Sequence, residues 1–366
     1  MTLTSLKIDR HRLSQELDKL ATFSDVPAPA VTRVVFSEAD KAARVYLIEL
    51  FRQSGLHVRI DAVGNIFARW VGSQPELPVV GTGSHCDAIP HSGRFDGTVG
   101  VLGGLESIRA LKSAGFQPQR SIELVMFTSE EPTRYGIGCL GSRLIAGVLS
   151  AARAESCVDQ DGLTLEETRT AFGLSGSLKD VKLHSNHYSH WIELHIEQGP
   201  VLEQKQIPIG IVHAIAAPAS LRCSFTGEGG HAGSVLMAGR KDAFLGAAAL
   251  ALMVERHALE LGTNDTVATT GYVKVHPCAV NSIPSKVELE IDVRDIEAAR
   301  RNIVLEAIQA SAQSIAIDRG LQLKLEVVNA DPPAQSSETI TAAIRNACQE
   351  LQLPYLDMII RAYHDS

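Results

Sequence analysis

The chain has 366 residues, of which 45% are hydrophobic and 21% charged, and its formal net charge is -8. That length can bury two good cores, and that composition excludes a disordered or fibrous protein. The negative balance argues against a general nucleic-acid binder, which needs basic surface for phosphate, but leaves a small anionic substrate open. The first thirteen residues are mixed and charged, unlike a targeting segment. Ala243 to Val254, the most apolar long stretch, is too short to span a bilayer. Cys86, Cys139, Cys157, Cys223, Cys278 and Cys348 are scattered without a CxxC pair. That usage fits reduced thiols in the cytoplasm better than a disulfide framework or a structural zinc site. A soluble cytoplasmic protein, with no membrane and no nucleic-acid partner, is expected.

Taken in chain order, Leu77 to Thr82 reads as a buried strand and Gly97 to Ser113 as a helix with apolar residues at helical spacing. Ser121 to Thr128 reads as another buried strand, and Trp191 to His195 as a short one. Strands alternating with helices predict an α/β domain with a largely parallel central sheet, its chemistry in loops at strand ends.

After about Ile211 the pattern changes. Ser220 to Thr226 is strand-like, Gly239 to Leu259 helical, and Val267 to Val275 strand-like. Val287, Leu289, Ile291 and Val293 alternate with polar residues, as in a half-exposed antiparallel strand. Ile296 to Ile317 reads as a helix and Leu321 to Val328 as a strand. The order βαββαβ is the split arrangement of a ferredoxin-like sandwich. Asp331-Pro332-Pro333 ends it, and Thr339 to Leu351 resumes a helix that returns to the first domain.

Four motifs fall at element boundaries of the α/β part. They are Gly83-Ser84-His85-Cys86-Asp87, Gly93-Arg94-Phe95-Asp96-Gly97, Ser129-Glu130-Glu131 and Glu193 to Gly199 (ELHIEQG). Imidazole and carboxylate donors suit Zn²⁺, Mn²⁺ and similar ions. Two ions held about 3.5–4 Å apart need a bridging carboxylate and a second carboxylate beside the attacking water. Asp96 can bridge, Glu130-Glu131 offers a ligand and a base, and Asp87 is in reach to orient the His85 ring. Singly, each motif is more often a structural histidine, a solvated turn or a helix start, and Arg94 reads as a solvated charge. In combination and in this order they point to a metal site.

That order of motifs resembles the M20-type amidase, hydantoinase and carbamoylase family over essentially the whole chain. The likeness implies a zinc-exopeptidase-like α/β catalytic domain (1–212 with 332–366). It also implies an inserted ferredoxin-like α+β domain (213–331) that serves as lid and dimerisation surface of a homodimer. It implies two divalent ions per subunit, Mn²⁺ first and Zn²⁺ as the alternative. His85, Asp96 and His195 would hold one, Asp96 and Glu131 the other, with Glu130 the general base. Gly229 to Ser234 matches the family's GHAG motif, whose histidine, here His231, reaches into the partner subunit's site to stabilise the oxyanion. Asn281 and Arg294 match the residues that hold a substrate carboxylate, and Gln198 matches one near the substrate.

Three stretches separate this chain from family branches that carry Gly-Ser after the glutamate pair. They are Asp87 to Pro90, Glu130 to Gly136, and Ala362 to Ser366, whose His364 falls among the substrate contacts. They tilt the implied reaction toward hydrolysis of ureidoglycolate, a small ureido carboxylate, to glyoxylate, ammonia and carbon dioxide. Allantoate and N-carbamoyl-L-amino acids are the alternative substrates, and an inactive binding or scaffold dimer is the reading from another class. The family's second ion takes a further histidine from beyond the segment matching Ala362 to Ser366. The expectation is therefore at most one firmly held ion, an incomplete second site and poor turnover, with His364 the first residue to test should two ions be held.

Overall fold

The apolar run near Leu77 folds as the strand Val79–His85, and the next one as Ile122–Phe127, its parallel neighbour. In the computed structural model, which describes residues 6–365, these two lie inside a five-stranded sheet. Its order is His57–Ile60, Ile66–Trp70, Ile122–Phe127, Val79–His85, Tyr188–Ile192. The last three strands run parallel, but the first pairs antiparallel with the second, and the second antiparallel with the third. The sheet is thus mixed, not largely parallel. Asp61 is the local reason: its Oδ1 accepts the backbone N–H groups of Val63, Gly64 and Asn65. That tight turn reverses the chain as a hairpin, where a parallel neighbour would need a long crossover.

Alternation along Ile122–Phe127 sends side chains into two cores. Leu124 and Met126 pack with Leu47, Phe51, Val101, Leu102 and Leu105 of the helices Glu38–Gln53 and Thr98–Ser113. Val125 and Phe127 pack on the opposite side with Phe67, Leu140, Leu144 and Leu165. Burying both faces keeps the sheet rigid, so loops leaving its strand ends are held from beneath. The final strand spans Tyr188–Ile192 instead of the expected Trp191 to His195. The chain leaves the sheet at Glu193, whose Oε1 accepts the Ser84 hydroxyl at 2.7 Å.

The second unit contains a four-stranded antiparallel sheet ordered Val267–His276, Lys286–Asp295, Ala217–Thr226, Gln322–Ala330. With helices Ala243–Leu261 and Ala298–Asp318 the sequence order is βαββαβ, as the patterning predicts. Val287, Leu289, Ile291 and Val293 are all buried against Leu250, Val254, Val304 and Ile308 of the two helices. Asp242 caps the first helix by accepting the N–H groups of Phe244 and Leu245, so that helix starts later than Gly239.

The chain divides into one unit up to Ile209, with Ala342–Tyr355 and the residues from His364, and another of Gly210–Thr341 with Leu356–Tyr363. The second therefore takes in a C-terminal segment expected in the first. The cause is strand pairing: Tyr355–Ile360 lies beside Ile209–Ile215 in a three-stranded sheet, and Ala216 N–H donates to Ile360 O. The six cysteines are free thiols. Among the described residues no helix is long and apolar enough to cross a membrane.

Candidate metal centre

His85 ends its strand and is buried, with Nδ1 3.0 Å from the backbone oxygen of Asp87. With that carbonyl as acceptor the proton sits on Nδ1, leaving the Nε2 lone pair free. The Asp87 carboxylate, expected to orient this ring, lies 3.8 Å from Nδ1. It is occupied instead by the backbone N–H groups of Glu130 at 3.3 Å and Glu131 at 3.0 Å. Asp87 therefore serves the ring through its main chain and the glutamate loop through its side chain.

Asp96 stands before Gly97, the N-cap of helix Thr98–Ser113. Gly97 has φ +62°, and a Cβ there would lie 2.5 Å from His85 O and 2.6 Å from its ring. Only glycine lets this turn close over the histidine. Asp96 Oδ1 then lies 3.9 Å from His85 Nε2 and 3.3 Å from His195 Nε2. His195 donates Nδ1–H to Ile196 O at 2.9 Å, which leaves its Nε2 facing the same point. One donor atom from each of His85, Asp96 and His195 falls within 4.8 Å of the others. His195 Nε2 and Asp96 Oδ1 are buried with no hydrogen-bond partner. Buried polar atoms without partners are costly, and a divalent ion would satisfy both, so the donor set fits a metal.

The electrostatics agree with that fit. Burial would raise the Asp96 pKa, but the neighbouring His195 and His85 rings hold it below the ordinary aspartate value. His195 is lowered by burial and raised by Asp96 and the Ile196 carbonyl, with a net rise. Glu130 is pushed well above the usual carboxylate range, by burial first and then by the charges of Asp365, Glu131 and Asp87. Glu131 is pushed up to about 8 by burial, Asp87 and Asp96. A crowd of carboxyl groups with too little positive charge is what a cation neutralises.

Glu130 Oε2 lies 3.7 Å from His85 Nε2, beside the three-donor cluster. Glu131 feels the charges of Asp96 and His195 but is not part of that cluster. Gln198 donates its amide to Asp96 Oδ2 at 2.7 Å. His364 is buried with its ring 4.1 Å from that of His195, and burial drives its pKa down to about 3. It is a neutral imidazole there. Arg94 pairs with Asp18 at the surface at 2.7 Å, as a solvated charge. Arg134, in the stretch after the glutamate pair, is tied to Asp159 and Val35 O.

The other three expected residues belong to the second unit. His231 pairs in register with Ser282 on two short strands, and Ala232 N–H donates to Asn281 O, so His231 and Asn281 share one loop cluster. His231 Nδ1 accepts from Gly233 N–H at 3.2 Å, which leaves the proton on an exposed Nε2. Arg294 sits near the far end of strand Lys286–Asp295, with its fork on Asp292 and Nη1 donating to Arg361 O. The eight residue-to-residue steps from Lys286 to Arg294 span roughly 27 Å of extended chain. The structure therefore does not bring Arg294 to Asn281 and His231.

Sequence reasoning gave no role to Asp365 or Cys139. Asp365 accepts the Ser142 hydroxyl at 2.5 Å and adds its charge to that felt by Glu130. The Cys139 thiol donates to Glu130 Oε1 at 3.4 Å. Asp365 lay within a stretch already singled out; nothing in the sequence distinguishes Cys139 from a core thiol.

The model of peptidase family M20/M25/M40 matches residues 81–366. The chain belongs to this family. It is 52% identical over 364 residues to a ureidoglycolate hydrolase of Oryza sativa subsp. japonica, covering 98% of this chain and 75% of that protein. It is 35% identical to an N-carbamoyl-L-amino-acid amidohydrolase of Paenarthrobacter aurescens, covering 100% of this chain and 88% of that one. The crystal structure of AtUAH in complex with glyoxylate is similar with a TM-score of 0.92 at 51% identity, over 99% of this chain and 88% of that one.

Proposed function

We propose that this chain is a metal-dependent hydrolase that cleaves the ureido C–N bond of ureidoglycolate, yielding glyoxylate, ammonia and carbon dioxide. The observation that carries the reading is the meeting of the His85, Asp96 and His195 donors with a buried Glu130 oxygen 3.7 Å from His85 Nε2. Likeness to the rice ureidoglycolate hydrolase across nearly the whole chain selects the substrate.

A divalent ion at His85, Asp96 and His195, Mn²⁺ or Zn²⁺, would supply Lewis acidity that polarises the ureido carbonyl and acidifies water. The chain's own groups do the rest. Glu130 takes a proton from the attacking water at Oε2 and returns it to the departing nitrogen. Asp87 fixes the Glu130-Glu131 main chain, and Glu131, with Asp96, would hold a second ion. Gln198 orients Asp96, and His364, neutral beside His195, offers a hydrogen bond to substrate.

His231 and Asn281 form one contact point and Arg294 another. A small ureido carboxylate is far shorter than the strand between them. Both sets can meet one substrate only if they come from two copies of the chain, which supports a homodimer whose second unit lends His231 to its partner's site. The exposed Nε2–H of His231 suits an oxyanion. Leu245, Leu252 and Leu259 form an exposed apolar stripe seven residues apart on helix Ala243–Leu261, a surface fit for a second copy.

The test is ammonia release by the purified chain from ureidoglycolate, allantoate and N-carbamoyl-L-amino acids. Ureidoglycolate should be hydrolysed fastest. Preference for an N-carbamoyl amino acid would transfer the substrate assignment to the carbamoylase relatives.

A further inference from the structure

The loop carrying Glu130 is held from two sides. Asp87 takes the Glu130 N–H on one. On the other, three successive N–H groups at the start of helix Leu140–Ala146 point back at the strand end. Cys139 donates to Glu130 O at 2.7 Å, Leu140 to Ser129 O at 2.9 Å and Gly141 to Thr128 O at 2.9 Å. This zipper needs tight reversals in both segments, and Ser129 and Cys139 adopt left-handed φ of 57° and 54°. Non-glycine residues in that region are uncommon and cost energy, so surrounding contacts must hold them there.

Cys139 is 1% exposed, and its thiol continues the contact outward to Glu130 Oε1 at 3.4 Å. One residue thus grips both the main-chain oxygen and one carboxylate oxygen of Glu130. The other oxygen, Oε2, is left beside His85 Nε2. A glutamate side chain has three rotatable bonds, and an unanchored carboxylate would sample several orientations.

We infer that Cys139 is a positioning residue for the hydrolytic reaction, its thiol fixing Glu130 so that Oε2 alone faces the attacking water. The inference rests on the assignment of Glu130 as base. Cys139 lies outside the His85, Asp96 and His195 donor set and acts through Glu130, while its thiol also hydrogen-bonds the Asp365 carboxylate. Misplacing a catalytic group by an ångström costs up to about 10²-fold in rate, so losing this anchor should lower kcat without weakening substrate binding.

The experiment compares native, Cys139→Ala, Cys139→Ser and Glu130→Gln chains for metal content, thermal midpoint, kcat and KM on ureidoglycolate. Cys139→Ala should lose about ten-fold or more in kcat, with KM, metal content and midpoint near native. Cys139→Ser, whose hydroxyl can donate to the same oxygen, should regain part of that loss. A second readout is the infrared S–H band, isolated as native minus Cys139→Ala. In a further chain, Glu130→Ala, with the band isolated against Glu130→Ala/Cys139→Ala, it should shift from its native frequency, because the thiol loses its Glu130 acceptor. Native kcat in Cys139→Ala alongside an inactive Glu130→Gln would overturn the role of Cys139 while leaving the base in place. An active Glu130→Gln would remove the base assignment itself. Equal losses in the alanine and serine chains with lowered midpoint, or an S–H band indifferent to Glu130, would make Cys139 a packing residue and also overturn the inference.

Discussion

The carboxylate of Asp87 accepts the backbone N–H of Glu131 at 3.0 Å. With its second oxygen near the N–H of Glu130, it ties the glutamate loop to the loop that carries His85. Asp87→Asn keeps one acceptor but turns an amide N–H₂ toward the other backbone donor. A buried donor then loses its partner, at about 1–3 kcal/mol. The thermal midpoint should fall and turnover with it; a variant matching the native chain in both would remove Asp87 from this role.

Glu130→Gln should retain the metal and lose turnover. Removing a general base costs about 10²–10⁴-fold, and glutamine keeps the size of the side chain and an oxygen for the Cys139 thiol. Metal content measured beside kcat distinguishes loss of the base from loss of the site. Near-native kcat with bound metal would pass the role to Glu131.

Gly97→Ala examines the close approach of helix Thr98–Ser113 to His85. A left-handed conformation costs an L-residue about 1–2 kcal/mol, and the added methyl would meet the His85 ring at 2.6 Å. Both stability and metal affinity should drop, read by thermal midpoint and by metal per subunit after dialysis. Retention of both would show that the turn has slack that the structure does not suggest.

His231 and Glu130 should complement between subunits. Homodimers of Glu130→Gln and of His231→Ala should each be impaired. Mixed dimers contain one site with both native residues and should regain a fraction of native activity. Verified hybrids without recovery would place His231 in its own subunit's site or outside catalysis.

Much of this was legible in the sequence, and the failures have physical causes. The strict alternation of Val287, Leu289, Ile291 and Val293 marked a strand with one buried face, and all four are buried. The donors His85, Asp96 and His195 could be picked out because their motifs recur in a set order around the elements of the α/β part, although His195 falls three residues past its strand. The direction of strand pairing could not be read. The antiparallel first strands depend on an Asp61 turn, and pairing between Ile66–Trp70 and Ile122–Phe127 joins residues far apart in sequence. Nor does spacing tell which acceptor of Asp87 serves the ring: the carbonyl took the imidazole, and the carboxylate took a loop more than forty residues on. Cys139 was invisible for the same reason, since its contact with Glu130 arises only when two left-handed turns close on each other.

The most direct measurement is ammonia release from ureidoglycolate by the native chain before chelation, after it, and after Mn²⁺ or Zn²⁺ is returned, with His195→Ala carried in parallel. Three protein ligands suffice for a catalytic-type site, and loss of one imidazole removes a third of them. Under a metal-dependent mechanism, chelation abolishes turnover, returned metal restores it in the native chain, and His195→Ala stays inactive at the same metal concentration. A chelated chain that continues to release ammonia, or a His195→Ala chain that recovers fully, would contradict it.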